Sequence, residues 1–306
     1  MAKYAFLGPR GTFTESALLT FTSSSDQLTP FANVTATLDA VRSGQCEFAL
    51  VPIENSVEGV VARTLDELAI GDPLVIVSET NLDVSFALMV REGSKPSEIT
   101  AIATHPHAES QCRHFIAKKY PHAEIIPMSS TAAAAQAVAR GEQPAAIASS
   151  TSAAKENLVI VEEDIGDITG AQTRFVLVSK PGQIPARTGY DRTSLVAFIG
   201  ADHAGALLEV LTEFSVRGVN LTFIQSRPTG AGLGDYHFII DAEGHIHDER
   251  VGEAMMGLHR ICADIRFLGS YPRADKVAPT TSPSGADQVF KDAKSWLDEV
   301  RAGRKI

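Results

Sequence analysis

The sequence predicts an α/β fold of two lobes followed by a smaller, separate unit. Three observations carry that expectation. Short apolar strands alternate with helices from residue 4 to about residue 179, the pattern of a mainly parallel sheet covered on both faces. The alternation restarts near residue 81, which implies a second lobe, with the last strand of the series returning to the first. Residues 180–192 then hold two prolines and two glycines and read as a linker. Beyond them the order strand, helix, strand, strand, helix, strand is the ferredoxin-like arrangement.

The elements follow in order. Residues 4–7 are a short apolar strand, and residues 8–15 a turn and helix start. There Thr12 and Glu15 have capping-box spacing, and the helix continues to residue 21. Two glycines ahead of a helix N-terminus leave backbone N–H groups for an anion, although most such turns only connect a strand to a helix. A helix over 35–43 closes at Gly44. The buried strand 48–53 ends in a polar run, Glu54-Asn55-Ser56-Val57-Glu58-Gly59, at the strand edge where parallel α/β sheets bind ligands. A helix over 63–70 and a strand over 74–77 complete the first lobe. The second reads as strands over 84–90 and 99–103, a helix over 108–119 entered through Thr104-His105-Pro106-His107, a strand near Ile125, an alanine-rich helix over 131–139, a strand over 145–148, a helix capped from Ser149, and a strand over 159–161. The final strand ends at residue 179.

In the smaller unit, strands are expected over 194–199, 219–225, 236–241 and 265–268. One helix, 205–216, carries Leu207, Leu208, Leu211 and Phe214, and a second runs over 248–262. Gly230 to Gly234 precede a strand rather than a helix, so they read as a hairpin turn and not a nucleotide loop. Residues 274–285 are rich in Pro, Thr and Ser and read as flexible. Val289, Ala293, Trp296 and Val300 then mark an amphipathic helix, either docked through Trp296 or dangling.

The 306 residues are 44% hydrophobic and 21% charged, as in ordinary globular proteins. A net charge of −10 argues against nucleic acid as a partner. Were the substrate also acidic, a few basic residues would have to gather in the cleft. The three cysteines are odd in number and far apart, which points to free thiols in a reducing compartment. No leader-like segment or spanning apolar run is seen, so the expected location is the cytoplasm, with no membrane partner. His105, His107, Cys112 and His114 lie close in sequence, but Cys112 and His114 fall on a helix and diverge, so no metal is expected. Named hydrolase and phosphate-binding signatures are absent.

Thr173-Arg174 stands where a polar loop enters the last buried strand. A guanidinium grips carboxylates through a two-pronged fork, and a neighbouring hydroxyl can donate to a group the anchored carboxylate brings near. Such a pair at a strand start is more often a good β-former beside a solvated charge. The other loops change that weighting. Gly8-Pro9-Arg10-Gly11-Thr12-Phe13-Thr14-Glu15, Val51-Pro52-Ile53-Glu54-Asn55-Ser56, His105-Pro106, Ala146-Ile147-Ala148-Ser149 and Thr173-Arg174-Phe175 resemble, in order, the motifs of the prephenate dehydratase family. Gly205-Ala206-Leu207-Leu208 and Gln225-Ser226-Arg227-Pro228 resemble those of its ACT regulatory domain.

The resemblance covers about residues 3–272. It implies a two-lobed, periplasmic-binding-protein-like catalytic domain over 1–181, with lobes 1–80 plus 172–181 and 81–171. A linker over 182–192, a ferredoxin-like ACT domain over 193–272 and a tail over 273–306 follow. It implies conversion of prephenate to phenylpyruvate, water and carbon dioxide without a cofactor, in phenylalanine biosynthesis. It also implies L-phenylalanine as feedback effector, and a homotetramer or homodimer. By the same resemblance Thr173 is the catalytic residue, while Arg174, Thr12, Asn55, Ser56, Ser149 and His105 bind substrate. Gly205, Ala206, Leu207, Leu208, Asn220 and Ser226 then bind phenylalanine. Three positions depart from the family pattern: Ala171 stands for the usual Asn, His107 for Gln after His-Pro, and Gln225 for the Glu that opens the regulatory motif. A dehydratase acting on arogenate and a non-catalytic amino-acid sensor are the rival readings.

Overall fold

The computed structural model describes residues 1–200, 203–229, 236–281 and 283–304, so the expected hairpin turn at Gly230 to Gly234 lies outside the described residues. Fifteen strands and ten α-helices occur among them. The first stretch of chain holds β1 (Lys3–Leu7), α1 (Phe13–Leu18), β2 (Gln27–Phe31), α2 (Val34–Arg42), β3 (Phe48–Asn55), β4 (Gly59–Val60), α3 (Ala62–Ile70) and β5 (Val75–Asp83). The second holds β6 (Ala87–Val90), β7 (Ala101–Thr104), α4 (Pro106–Gln111), α5 (Arg113–Lys119), β8 (Glu124–Pro127), α6 (Thr131–Ala139), β9 (Ala145–Ala148), α7 (Ser150–Lys155) and β10 (Val159–Glu162), before β11 (Gln172–Ser179). The third holds β12 (Asp191–Phe198), α8 (Ala206–Ser215), β13 (Leu221–Pro228), β14 (Tyr236–Glu243), α9 (Glu249–Ile261), β15 (Asp264–Pro272) and α10 (Asp287–Arg301).

These strands make three sheets. The first has the order β2-β1-β3-β11-β5, with β4 hairpinned onto β3; the second is β10-β6-β9-β7-β8; the third is β13-β14-β12-β15. β1 runs parallel to β2 and β3, and β7 parallel to β8 and β9, while β6 is antiparallel to β9 and β10. The third sheet is antiparallel with α8 and α9 on one face, the ferredoxin-like order expected. By packing, the chain divides into two compact units, one of Met1–Thr64 with Thr80–Leu177, the other of Leu65–Glu79 with Val178–Ile306.

In the first unit the strands are apolar because both faces are covered. Ala5, Phe6, Leu50 and Val51 are fully buried in one sheet, and Leu88, Met89, Ile102 and Ala146 in the other. α2 presents Val34, Leu38 and Val41 inward at helical spacing, and Asn33 caps it by accepting from the Ala36 N–H at 2.8 Å. Gly8 lets the turn after β1 pass the end of β2, for a Cβ there would stand 2.7 Å from that of Pro30. Two expectations change. The strand read as 74–77 continues through polar residues to Asp83, and residues 84–86 lie outside any strand. The helix read as 108–119 breaks at Cys112 into α4 and α5. β2 escaped the sequence reading because Gln27-Leu28-Thr29-Pro30-Phe31 is half polar and carries a proline, which an edge strand tolerates.

In the second unit, Leu195, Val210, Phe214, Phe238, Ile240, Val251 and Leu258 form the core between sheet and helices. The opposite sheet chemistry is ionic. Arg227 holds Asp66 with two bonds of 2.7 and 2.8 Å, and Arg192 lies 2.9 Å from the buried Glu79. Gly269 (φ +137°) passes so close to the Ile76 carbonyl that no side chain fits there. The tail helix α10 buries no residue. Its first residue, Asp287, accepts from Arg187 at 2.8 Å and from the Glu249 N–H at 3.1 Å, while Val289, Trp296, Leu297 and Val300 remain exposed. No helix among the described residues is long and apolar enough to cross a membrane.

Candidate active site

Five strand ends and four helix starts converge in the first unit. The C-terminal ends of β1, β3, β7 and β8 lead towards the N-termini of α1, α3, α4 and α6, and the start of β11 lies beside the end of β3. The Ser56 N–H donates to the Gln172 carbonyl at 2.9 Å, and the Gln172 N–H to Ser56 Oγ at 2.9 Å. Between them is a cavity of about 490 Å³. Its wall includes Thr12, Phe13 and Thr14 from the start of α1, Val61 and Ala62 from α3, His105 and His107 from α4, Ser130 and Thr131 from α6, together with Asn55, Glu58, Gln111 and Thr173. Three of these helix starts are capped: Thr12, His105 and Ser130 accept from Glu15, His107 and Ala133 N–H groups. The first N–H groups of a helix lack partners within it and carry the positive end of the macrodipole.

No Lys or Arg is among the described residues lining this cavity; its ionisable groups are Glu58, His105 and His107. The expectation of basic residues gathered in the cleft is therefore corrected. Helix N-termini, hydroxyls and amides supply the polarity instead. The positive end of a helix is worth roughly 0.3–1 kcal/mol to an exposed anion and up to about 2 kcal/mol in a partly buried setting.

Thr173 and Asn55 are the best-defined pair in the wall. The turn after β3 is closed by Asn55 itself, whose Oδ1 accepts from the Val57 and Glu58 N–H groups at 2.8 and 2.9 Å. That fixes the orientation of the amide. Its Nδ2 then donates to Thr173 Oγ1 at 2.8 Å. With one lone pair so engaged, the Thr173 proton is left to be donated elsewhere, and the cavity adjoins it. Phe175, 1% exposed, packs in the core.

Other expected residues have different placements. Arg174 alternates with Thr173 along β11, so it faces the other side of the sheet; it is buried, lies 3.5 Å from Glu54, and is not in the cavity wall. Ser56 ties the turn to β11 as described and does not line the cavity. Ser149 is buried as the cap of α7, accepting from the Ser152 N–H at 3.2 Å. Thr12 is in the wall, but its hydroxyl is engaged with the Leu7 carbonyl at 3.2 Å and the Glu15 N–H at 3.4 Å. His105 is in the wall with its Nδ1 accepting from the His107 N–H at 3.2 Å, which leaves the proton of the neutral ring on Nε2. Burial, then the neighbouring His107, lowers its pKa, against the opposing pull of Glu58. Glu58 and Gln111 are among the wall residues that the sequence does not mark as site residues. Glu58 accepts from Gln111 Nε2 at 3.1 Å and from Ser110 Oγ at 3.3 Å, across the cleft. The polar run after β3 pointed towards Glu58, whereas nothing in the sequence pointed to Gln111.

In the second unit, Gly205 (φ +100°) precedes α8, Ala206 is buried, and Leu207 and Leu208 are 37% and 66% exposed. The helix meets its core through Val210 and Phe214 instead. Asn220 and Ser226 are exposed, and β13, which carries Ser226, is an edge strand.

Comparison with known proteins gives a consistent result. A family model described as prephenate dehydratase matches residues 4–183, and one described as ACT domain matches residues 194–260. The chain is 44% identical to a prephenate dehydratase of Mycobacterium marinum, over 99% of this chain and 97% of that protein. It resembles the crystal structure of prephenate dehydratase from Arthrobacter aurescens, in complex with L-Phe, with a TM-score of 0.92 and 46% identity over 98% and 99% of the two chains. It also resembles a protein described as a novel type of quorum quenching acylase, with a TM-score of 0.77 and 27% identity over 88% and 97%.

Proposed function

The chain belongs to the prephenate dehydratase family, whose members are decarboxylating dehydratases, and from that premise we propose how its cavity serves the reaction. Prephenate carries one carboxylate and one hydroxyl at opposite ends of a cyclohexadiene ring, and a second carboxylate on its side chain. As the ring C–CO₂ bond breaks, its electron pair moves into the ring and the hydroxyl leaves at the far end. The ring becomes aromatic, so the driving force is in the substrate. The protein has to hold two anionic groups and supply a hydrogen-bond donor to the departing hydroxide, without a cofactor.

Thr173 is that donor. The observation that carries the assignment is the Asn55 amide, which occupies a lone pair of the hydroxyl and leaves its proton for the substrate. A Thr hydroxyl is a very weak acid, so Thr173 acts as donor or relay to the leaving group. The carboxylates meet the N–H groups that begin α3 and α6, each a nine-residue helix, with the Thr12 turn and neutral His105 beside them. Arg174 and Ser56 support the wall from outside it. An acyl-transfer reading would need Thr173 as nucleophile, and accepting the Asn55 hydrogen bond works against that role. Incubation with prephenate should yield phenylpyruvate, with arogenate run in parallel to settle preference. Thr173→Ala should lower kcat by roughly 100-fold or more, with unchanged melting and phenylalanine binding; a near-normal kcat would remove Thr173 from the mechanism.

For the chain as a whole we propose a catalytic domain over 1–181, a linker over 182–192, an ACT domain over 193–272 and a tail over 273–306, in a cytoplasmic enzyme of phenylalanine biosynthesis. L-Phenylalanine is the proposed feedback effector, held by the Gly205 turn with Ala206, Leu207, Leu208, Asn220 and Ser226. Leu207 and Leu208 lie outside the core and are open to an aromatic side chain. The edge strand β13 exposes Thr222, Ile224, Ser226 and Pro228 on alternate positions, a surface for a second copy in a homodimer or homotetramer. Calorimetry with phenylalanine and light scattering test these two points.

A further inference from the structure

The two lobes of the first unit meet at a cluster that the dehydration chemistry does not use. Glu15, on α1, is buried, yet it does not complete the capping box that its spacing announces. A capping box would turn its carboxylate to the Thr12 N–H. Instead Oε2 accepts from the Gly11 N–H at 2.5 Å and from Lys155 Nζ at 2.7 Å, and Oε1 lies 3.1 Å from Arg10. Lys155 belongs to α7, on the other lobe. From the same helix Ser152, 1% exposed, donates its hydroxyl to the Gly11 carbonyl at 2.7 Å. Both polar groups of the Gly11 backbone are thus held by the bracket, the N–H by Glu15 and the C=O by α7 of the opposite lobe. Gly11 itself (φ +89°) adopts a conformation that side chains rarely allow, so the turn has no intrinsic preference to hold it there. The next residues, Thr12 to Thr14, form cavity wall.

We propose that Glu15, Ser152 and Lys155 form an interlobe bracket that positions the Gly11–Thr12 turn against bound substrate. These are positioning residues; none of the three lines the cavity. Ser149 belongs to the same device. It caps α7 and lies 3.0 Å from Ser152 Oγ, so it acts on the cavity through Ser152 and the Gly11 carbonyl. Magnitudes favour the buried half of the bracket. Lys155 is 36% exposed and its ion pair is screened by water, whereas loss of the Ser152 hydroxyl leaves a buried carbonyl without that donor. The proposal rests on the cavity's being the dehydratase site.

The test is a variant set, Ser152→Ala, Lys155→Met, Lys155→Arg, Glu15→Gln and Glu15→Gln/Lys155→Met, in the full chain. Ser152→Ala should lower kcat/KM roughly tenfold and Lys155→Met roughly threefold. Lys155→Arg should recover most of the latter loss, and the Glu15/Lys155 double variant should lose less than the product of its singles. Acid pH should mimic Lys155→Met. Burial works to raise the Glu15 pKa, but hydrogen bonds from Lys155 and Gly11 and the charges of Lys155 and Arg10 outweigh it and lower it. Without Lys155 the acidic limb of kcat/KM should move to higher pH, a shift that a merely structural role would not produce. Hydrogen exchange gives a readout independent of activity: amides of residues 8–14 should exchange faster in Ser152→Ala and Lys155→Met, and those of β12–β15 should not. Wild-type kcat/KM in both variants with unchanged exchange would overturn the bracket, as would additive losses in the double variant. A wild-type protein inert towards prephenate, with exchange responding as expected, would instead overturn the substrate reading and leave the bracket standing.

Discussion

Asn55 has two tasks that only an amide performs together. Its oxygen closes the turn after β3 and its nitrogen orients the Thr173 hydroxyl. Asn55→Asp keeps the first and inverts the second, because a carboxylate accepts where the amide donates and draws the Thr173 proton away from the substrate. Its kcat should fall by roughly 10- to 100-fold, with little change in melting; a variant within twofold of wild type would show that the hydroxyl needs no such orientation. His105 gives a second residue-scale expectation. Because burial and His107 lower its pKa, the ring should titrate by NMR below the ordinary 6.5, and Glu58→Gln should lower it further by removing the one opposing charge. The unfolded ring binds its proton at higher pH than the folded one, so its contribution to stability is intact above about 6.5 and is lost as pH falls from there through the folded value. Thr173 was legible as a hydroxyl beside a fork at a strand's start, but its partner stands 118 residues away. No local pattern encodes that distance, and the alternation that sends Arg174 to the other face emerges only once the strand is placed against β3.

At the scale of elements, the cavity follows from where helices begin. The polar runs at residues 8–15, 54–59 and 104–107 were legible as strand ends leading towards helices, with a capping pair in the first, and all three enter the wall. The start of α6 was legible as a helix but not as part of the site, because Ser129-Ser130-Thr131 reads as an ordinary cap. The full length of β5 is not legible, because Ser78-Glu79-Thr80-Asn81 looks like loop. Glu79 is nevertheless buried, since Arg192 and the Ala274 N–H supply partners that a sequence pattern does not announce. The amphipathic period of α10 was plain, yet the helix buries no residue, leaves Val289, Trp296 and Val300 exposed, and meets the second unit at Asp287. A chain ended after Gln288 keeps those contacts. It should melt within about 2 °C of the full protein, the shift expected of a change below about 0.5 kcal/mol; a larger drop by calorimetry would mean that the stripe is covered in solution.

At the scale of the molecule, sequence alternation anticipated three sheets better than it anticipated how their surroundings pack. The segment Leu65–Glu79 is continuous in sequence with the first lobe, yet its contacts group with residues 178–306. What binds it there is the Arg227–Asp66 pair, Arg266 on the Leu68 and Gly71 carbonyls, and the bare backbone of Gly269 over Ile76. None of these has a periodic signature, because each links two stretches far apart in sequence. The arrangement has a consequence for a chain made from one end. The ribosome releases Leu65, Leu68, Leu74 and Ile76, each about 1% exposed in the finished fold, long before it has made residues 178–306, with which their segment groups. Until then the segment lacks the residues with which it groups. The late-made stretch is therefore also a folding partner for an early one, and a message truncated within it would leave the early segment for chaperones and proteases to find.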